Sequence, residues 1–167
     1  MKKHALTGWR VCLLLLLSVA GSDWAQAQPT KAEKKAAKLQ AVRELVASRH
    51  YTFLAQSATP LSGASRQLTS EYTLTIRTDT VDSYLPYFGR AYTVPIGSGD
   101  DGIKFTSTRF GYTMKEAKNG GWDIEIRPKD VQGIPVLNMY ISESGYTTLR
   151  VTPTNRQMIS FYGYIKK

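Results

Sequence analysis

Cysteine is almost missing from this 167-residue chain: Cys12 is the only one. A single thiol forms no internal disulfide, and chemistry built on a cysteine nucleophile has nowhere else to sit. Histidine is nearly as scarce, with His4 and His50 alone. No multi-histidine metal centre can be assembled from them, and a Ser-His-Asp arrangement in the processed chain would have to run through His50. No strand-turn-helix elbow lies near His50, which reads as a capping or packing residue at a helix-to-strand junction. Long apolar runs are also lacking. After Ala20 no stretch approaches the roughly 20 residues that a membrane-spanning helix requires. Internal repeats and low-complexity tracts are absent as well.

What is present begins with the order of a secretory signal. Lys2, Lys3 and Arg10 precede the apolar run from Val11 to Ala20, and Ala25-Gln26-Ala27 supplies the small-x-small pattern that a signal peptidase cuts after. Cys12 follows Trp9-Arg10-Val11 instead of the small residues that precede a lipidated cysteine, which argues against a lipoprotein. Residues 1–27 are therefore expected to be removed, leaving a thiol-free chain of single-domain length, periplasmic or secreted, whose stability comes from a packed core.

The chain carries 22 basic and 13 acidic residues, and most of the excess left after processing lies within residues 30–50. There Lys31, Lys34, Lys35, Lys38, Arg43 and Arg49 meet only Glu33 and Glu44. Thr30-Lys31-Ala32-Glu33 forms a capping box, and Ala36, Leu39, Val42 and Val46 recur at helical spacing, so residues 28–50 are predicted to be a basic N-terminal helix with one apolar stripe. The lysines beside that stripe read as a solvated face.

From Tyr51 onward the period changes to two. Tyr72, Leu74 and Ile76 alternate with Thr73, Thr75 and Arg77, and Trp122, Ile124 and Ile126 alternate with Asp123, Glu125 and Arg127. Further strands are expected over 51–56, 103–108, 110–115, 136–141, 146–152 and 158–166, separated by turn-formers such as Asn119-Gly120-Gly121 and Ser142-Glu143-Ser144-Gly145. Short glycine-bearing gaps favour hairpins, so sequence neighbours should pair antiparallel. Residues 57–70 read as the one long connection. The apolar parity flips from odd in Ile103-Phe105 to even in Phe110-Tyr112-Met114, which calls for a bulge or tight turn around Arg109. The expected fold is α+β, one globular unit in which the helix packs on residues 51–167, folded as a curved antiparallel sheet or partly closed barrel of about eight strands.

Catalytic patterns are weak. Gly97-Ser98-Gly99-Asp100-Asp101-Gly102 matches G-x-G-x-x-G, but the residues after it read as a strand and its aspartates would repel a phosphate, so it reads as an inter-strand loop. Those aspartates lack the spacing of a twelve-residue calcium loop. Asp123 and Glu125 share a strand face with Arg127 opposite the apolar set, and look solvated. No cofactor and no metal site is expected. A modest charge excess on one helix, export and the lack of a reading motif argue against nucleic acid.

The densest aromatic stretch, residues 83–95, reads SYLPYFGRAYTVP. Pro86 removes a ladder donor and Gly89 permits a positive φ, so a bend is expected, its rings filling one end of a barrel with hydroxyls at the rim and Arg90 lying on a ring. The alternative is a pocket mouth lined by Tyr84, Tyr87, Phe88 and Tyr92, with Arg90, and Arg156 if the two meet, fixing an anionic group.

The strings SYLPYFGRAY, GIKF (102–105), GGW (120–122) and SGYTTLRVTPTNRQMISFYG (144–163) resemble the secreted bacterial proteins grouped as domain of unknown function 4251. The resemblance spans about residues 51–165 and implies export, a single domain after an N-terminal helix, and a shared importance for residues 84–92 and for Asn155-Arg156-Gln157. It implies no catalytic residue. The functional expectation is a non-enzymatic binding or interaction module of the cell envelope, using the aromatic corner or a cavity inside the sheet. Its ligand would be a small molecule, a glycan or an envelope protein. A carboxylate-dependent hydrolase of envelope or dietary carbohydrate, and an inhibitor or scaffold, are the alternatives.

Overall fold

A computed structural model of the chain describes residues 30–90, 102–134 and 136–167. Helix α1 (Lys31–Ser48) begins directly after Thr30, where the capping box places its start, and stops where Arg49 takes a left-handed φ of 51°. Nine strands follow among the described residues: β1 (Tyr51–Pro60), β2 (Arg66–Ile76), β3 (Val81–Leu85), β4 (Ile103–Ser107), β5 (Phe110–Glu116), β6 (Trp122–Pro128), β7 (Leu137–Ile141), β8 (Tyr146–Val151) and β9 (Ile159–Lys166). The long connection expected over 57–70 shrinks to residues 61–65. β1 bulges between Ala55 and Ser57, so its inward set passes from Tyr51, Phe53 and Ala55 to Ala58 and Pro60.

The hydrogen-bonded order is β4-β3-β2-β1-β9-β8-β7-β6-β5, antiparallel throughout. Sequence neighbours pair, with one exception. Only Thr108 and Arg109 separate β4 from β5, yet the two stand at opposite ends of that order. Residues 103–116 therefore act as one bent strand, the first half on β3 and the second on β6, which carries the sheet round into a nearly closed barrel. Counted once, it leaves eight staves. An up-and-down meander needs an even number for its last strand to run antiparallel to its first, as β9 does against β1. The two neighbours expected to pair antiparallel here do not, and the bend takes the place of the bulge or tight turn expected around Arg109, supplying its parity change.

Asp130, in the connection after β6, holds the bend. Its carboxylate accepts hydrogen bonds from the Ser107 hydroxyl and from the N–H groups of Thr108 and Arg109, both at 3.0 Å, while Lys129 N–H donates to the Arg109 carbonyl at 2.7 Å. The Ser107 bond, with help from the two amides, holds the Asp130 pKa down at about 2. A depressed carboxyl stabilises the fold above its unfolded pKa, and that stabilisation disappears as pH falls through the folded value. Asp130→Asn should therefore melt below the parent at neutral pH, with the gap closing between about pH 4 and about pH 2. Melting curves across that window test this, and a gap independent of pH would contradict it.

Inward side chains fill the barrel. Phe53, Leu74, Leu85, Ile126, Leu149 and Phe161 expose no surface, as expected of eight staves, whose interior is just wide enough for side chains. The cavity anticipated inside the sheet is thus occupied by core. Outward positions carry Lys104, Asp123, Arg127 and Arg150, the reverse of a lipid-facing barrel. Among the described residues no helix is long and apolar enough to cross a membrane.

Helix α1 lies at the end where β1 begins and β9 finishes. Val42 and Val46 are buried and Leu39 and Leu45 half-buried, with Val42 beside Gly145 and Ile165. Ala36, expected on the same stripe, is exposed, as are all of residues 31–38, none of which joins the core. Below the helix the Arg49 guanidinium sits 4.6 Å over the Tyr112 ring, and the Tyr112 and Tyr51 hydroxyls are 3.1 Å apart. Burial pushes both phenols up, so the two hydroxyls stay neutral beneath the guanidinium. His50 is exposed beside it, and its N–H donates to the Ser48 hydroxyl at 3.2 Å.

Candidate functional site

The aromatic stretch divides between strand and bend. Tyr84 and Leu85 end β3, with Leu85 inward and Tyr84 outward, and Pro86 then turns the chain at the barrel end away from α1. Tyr87 closes that end. It is 9% exposed, and its hydroxyl donates to the carbonyls of Arg90 (2.9 Å) and Gln157 (2.8 Å). Gln157 N–H donates back to the Arg90 carbonyl at 3.0 Å, and the Arg156 guanidinium covers the Tyr87 ring at 5.1 Å. The 84–90 and 155–157 segments are therefore one structural unit. Arg156, not Arg90, is the arginine on the Tyr87 ring.

Gly89 does not take a positive φ. A Cβ there would fall within 2.7 Å of Tyr87 Cζ, so contact with the ring, not a left-handed backbone, requires glycine. Phe88 is at the surface beneath Arg66, 5.1 Å from ring to guanidinium. Tyr84 stacks on Tyr72 at 5.8 Å with Lys104 4.5 Å above its ring. The Arg90 side chain is exposed. Tyr92 and loop residues 97–101 lie outside the described residues.

A larger feature lies on the outer face of β5 to β8. Register places two rows across these strands: Thr113, Glu125, Asn138 and Arg150, and beside them Lys115, Asp123, Tyr140 and Thr148. Together they line a depression of about 390 Å³. Its electrostatics are balanced, with Lys115 and Arg150 against Asp123 and Glu125. Arg127 grips Glu125 through two hydrogen bonds, at 2.7 and 3.0 Å, which hold its carboxyl below the usual range. The Tyr140 hydroxyl donates to the Gly120 carbonyl at 3.0 Å and so fixes its ring. Thr148, between Tyr140 on β7 and Tyr162 on β9, continues the row into a second aromatic surface. There Tyr162 and Tyr146, each 48% exposed, stack at 6.1 Å with only 8° between their planes.

Residues 33–165 match the family described as a domain of unknown function, DUF4251. The chain belongs to the DUF4251 family. The match starts inside α1, so the helix is part of the DUF4251 domain and the family extends further towards the N-terminus than the strings of residues 84–92 and 155–157 alone indicate. The crystal structure of a DUF4251 family protein from Bacteroides eggerthii DSM 20697 is similar, with a TM-score of 0.60 and 14% identity over 78% of this chain and 90% of that one. At that identity the likeness is one of fold. No curated protein matches the chain.

Within this DUF4251 domain, sequence reasoning noted Asp123 and Glu125 as a solvated pair but missed Asn138, Tyr140, Thr148 and Arg150 beside them. The available signal was their parity, opposite the inward Leu137, Met139, Leu149 and Val151. The cross-strand register that gathers them does not appear in any one strand.

Proposed function

We propose that this DUF4251 protein is an exported carbohydrate-binding module whose ligand lies on the outer face of β5 to β8. One observation carries the reading: a fixed tyrosine ring stands beside planar polar groups, Asn138, Glu125 and Arg150, within one shallow depression. A sugar presents an apolar C–H face and a rim of hydroxyls. It is recognised by a ring to pack on and by carboxylate, amide and guanidinium groups that accept and donate in a plane. Two cations against two carboxylates suit a neutral sugar better than a polyanion.

Other readings have less support. A hydrolase needs one carboxyl held protonated in a cleft, whereas Glu125 is shifted the other way. A scaffold acting by strand addition needs a free sheet edge, and the bent β4–β5 strand nearly closes this sheet. The filled interior leaves the outer face as the larger recess for a ligand.

An array of bacterial and plant glycans tests the proposal. The processed chain should bind a defined subset, and Asn138→Ala combined with Arg150→Ala should weaken that binding at least about tenfold without lowering the melting temperature, since both residues are exposed. Retention of no glycan by the parent would contradict the reading.

A further inference from the structure

The depression on the outer face does not stop at Tyr140. The same ring lines a second groove, of about 280 Å³, whose other walls include Lys35, Lys38 and Leu39 of α1 and Asn119 and Glu143 from the adjoining turns. Lys38 and Ser144 line in turn a third recess, of about 350 Å³, with Gln56, Tyr146 and Tyr164. Three recesses that share side chains in this way form one track. It runs from the middle of β6 and β7 to the exposed first half of the helix.

Resting on the carbohydrate reading above, we infer that the ligand is a linear oligosaccharide that follows this track and is held at its far end by α1. The helix is then a wall of the binding site as well as a cover for the barrel. Three features support this. First, residues 31–38 are helical and exposed and contribute no residue to the core, so the core does not account for their position over the sheet. Second, Tyr140 and Tyr146 line successive recesses along the path, Tyr162 stacks on Tyr146, and Lys38 Nζ reaches to 5.7 Å above the Tyr146 ring. Third, β5 to β9 are four strand spacings apart, roughly 19 Å, which a single sugar ring does not fill. A monosaccharide would occupy the first depression and leave the helix untouched.

Titration calorimetry of the processed chain with di-, tetra- and hexasaccharides of glucose, mannose and N-acetylglucosamine tests the inference. Affinity is expected to rise at least about tenfold from the disaccharide to the hexasaccharide of the sugar that binds. Lys35→Ala combined with Lys38→Ala should return the hexasaccharide to disaccharide affinity while leaving the disaccharide unchanged. Both lysines are exposed, so the variant keeps its fold, and an unchanged melting temperature verifies that. Equal affinity for the short and long sugars, or a length gain that the helix variant keeps, overturns the track while the carbohydrate reading stands. Binding of none of these sugars overturns the track, and the glycan array decides the carbohydrate reading separately.

Discussion

Replacing Gly163 with alanine is expected to cost about 3 kcal/mol or more of folding stability. Gly163 lies on β9, paired with Ala55 of β1 on one side and Thr147 of β8 on the other, next to the point where β1 bulges. A Cβ at 163 would collide with the Leu54 carbonyl oxygen, approach its carbon to 2.9 Å and reach Phe53 Cε2 at 3.0 Å. Overpacking a core usually costs about 1–3 kcal/mol because side chains shift to make room. Here the first obstacle is backbone, and it can yield only by parting β1 from β9, the pair that joins the two ends of the barrel domain. Urea unfolding measures the effect, and a loss below about 0.5 kcal/mol, the range of an ordinary surface change, would contradict so close an approach.

Two residues away, the same strand yields a paired expectation. Phe161 is fully buried and Tyr162 is 48% exposed, so they face opposite sides of one strand. Phe161→Ala should cost about 3–5 kcal/mol, combining lost transfer free energy with a cavity in a core that cannot collapse around it. Tyr162→Ala should stay within about 0.5 kcal/mol, and its effect should appear in glycan affinity instead. Similar losses at the two sites would mean that the inner and outer faces of β9 are wrongly placed.

Much of this architecture was legible in the chain, where local chemistry and long-range packing agree. Thr30 and Glu33 mark the helix start to within a residue, and the inward sets of β2 and β6 are visible as plain alternation. Legibility fails where packing overrides the period. β3 was hidden because its inward set is Val81, Ser83 and Leu85, and a buried serine breaks the apolar pattern. Ser83 is tolerated there because its hydroxyl donates to the Ile103 carbonyl at 2.8 Å. The second half of β1 was hidden by the bulge at Ala55 and Ser57, which moves its inward residues to the other parity.

The bend at 107–110 was visible as a parity flip. Its consequence, that the two halves pair with different strands and close the barrel, depends on Asp130, which is distant in sequence. The candidate site was the least legible part. Its residues are ordinary polar positions on four separate strands, and only the register assembles them. The aromatic corner was conspicuous for a different reason: much of what it concentrates, Tyr87 and Gly89 above all, serves to close one end of the barrel.

The most direct test of ligand binding outside a filled barrel is amide chemical-shift mapping by NMR during titration with the hexasaccharide that binds. The account predicts that the largest shifts fall on Glu125, Asn138, Tyr140, Thr148 and Arg150 and extend to Lys38. Shifts confined to residues 84–90 and Arg156, or centred on core positions such as Phe53 and Leu149, would contradict it.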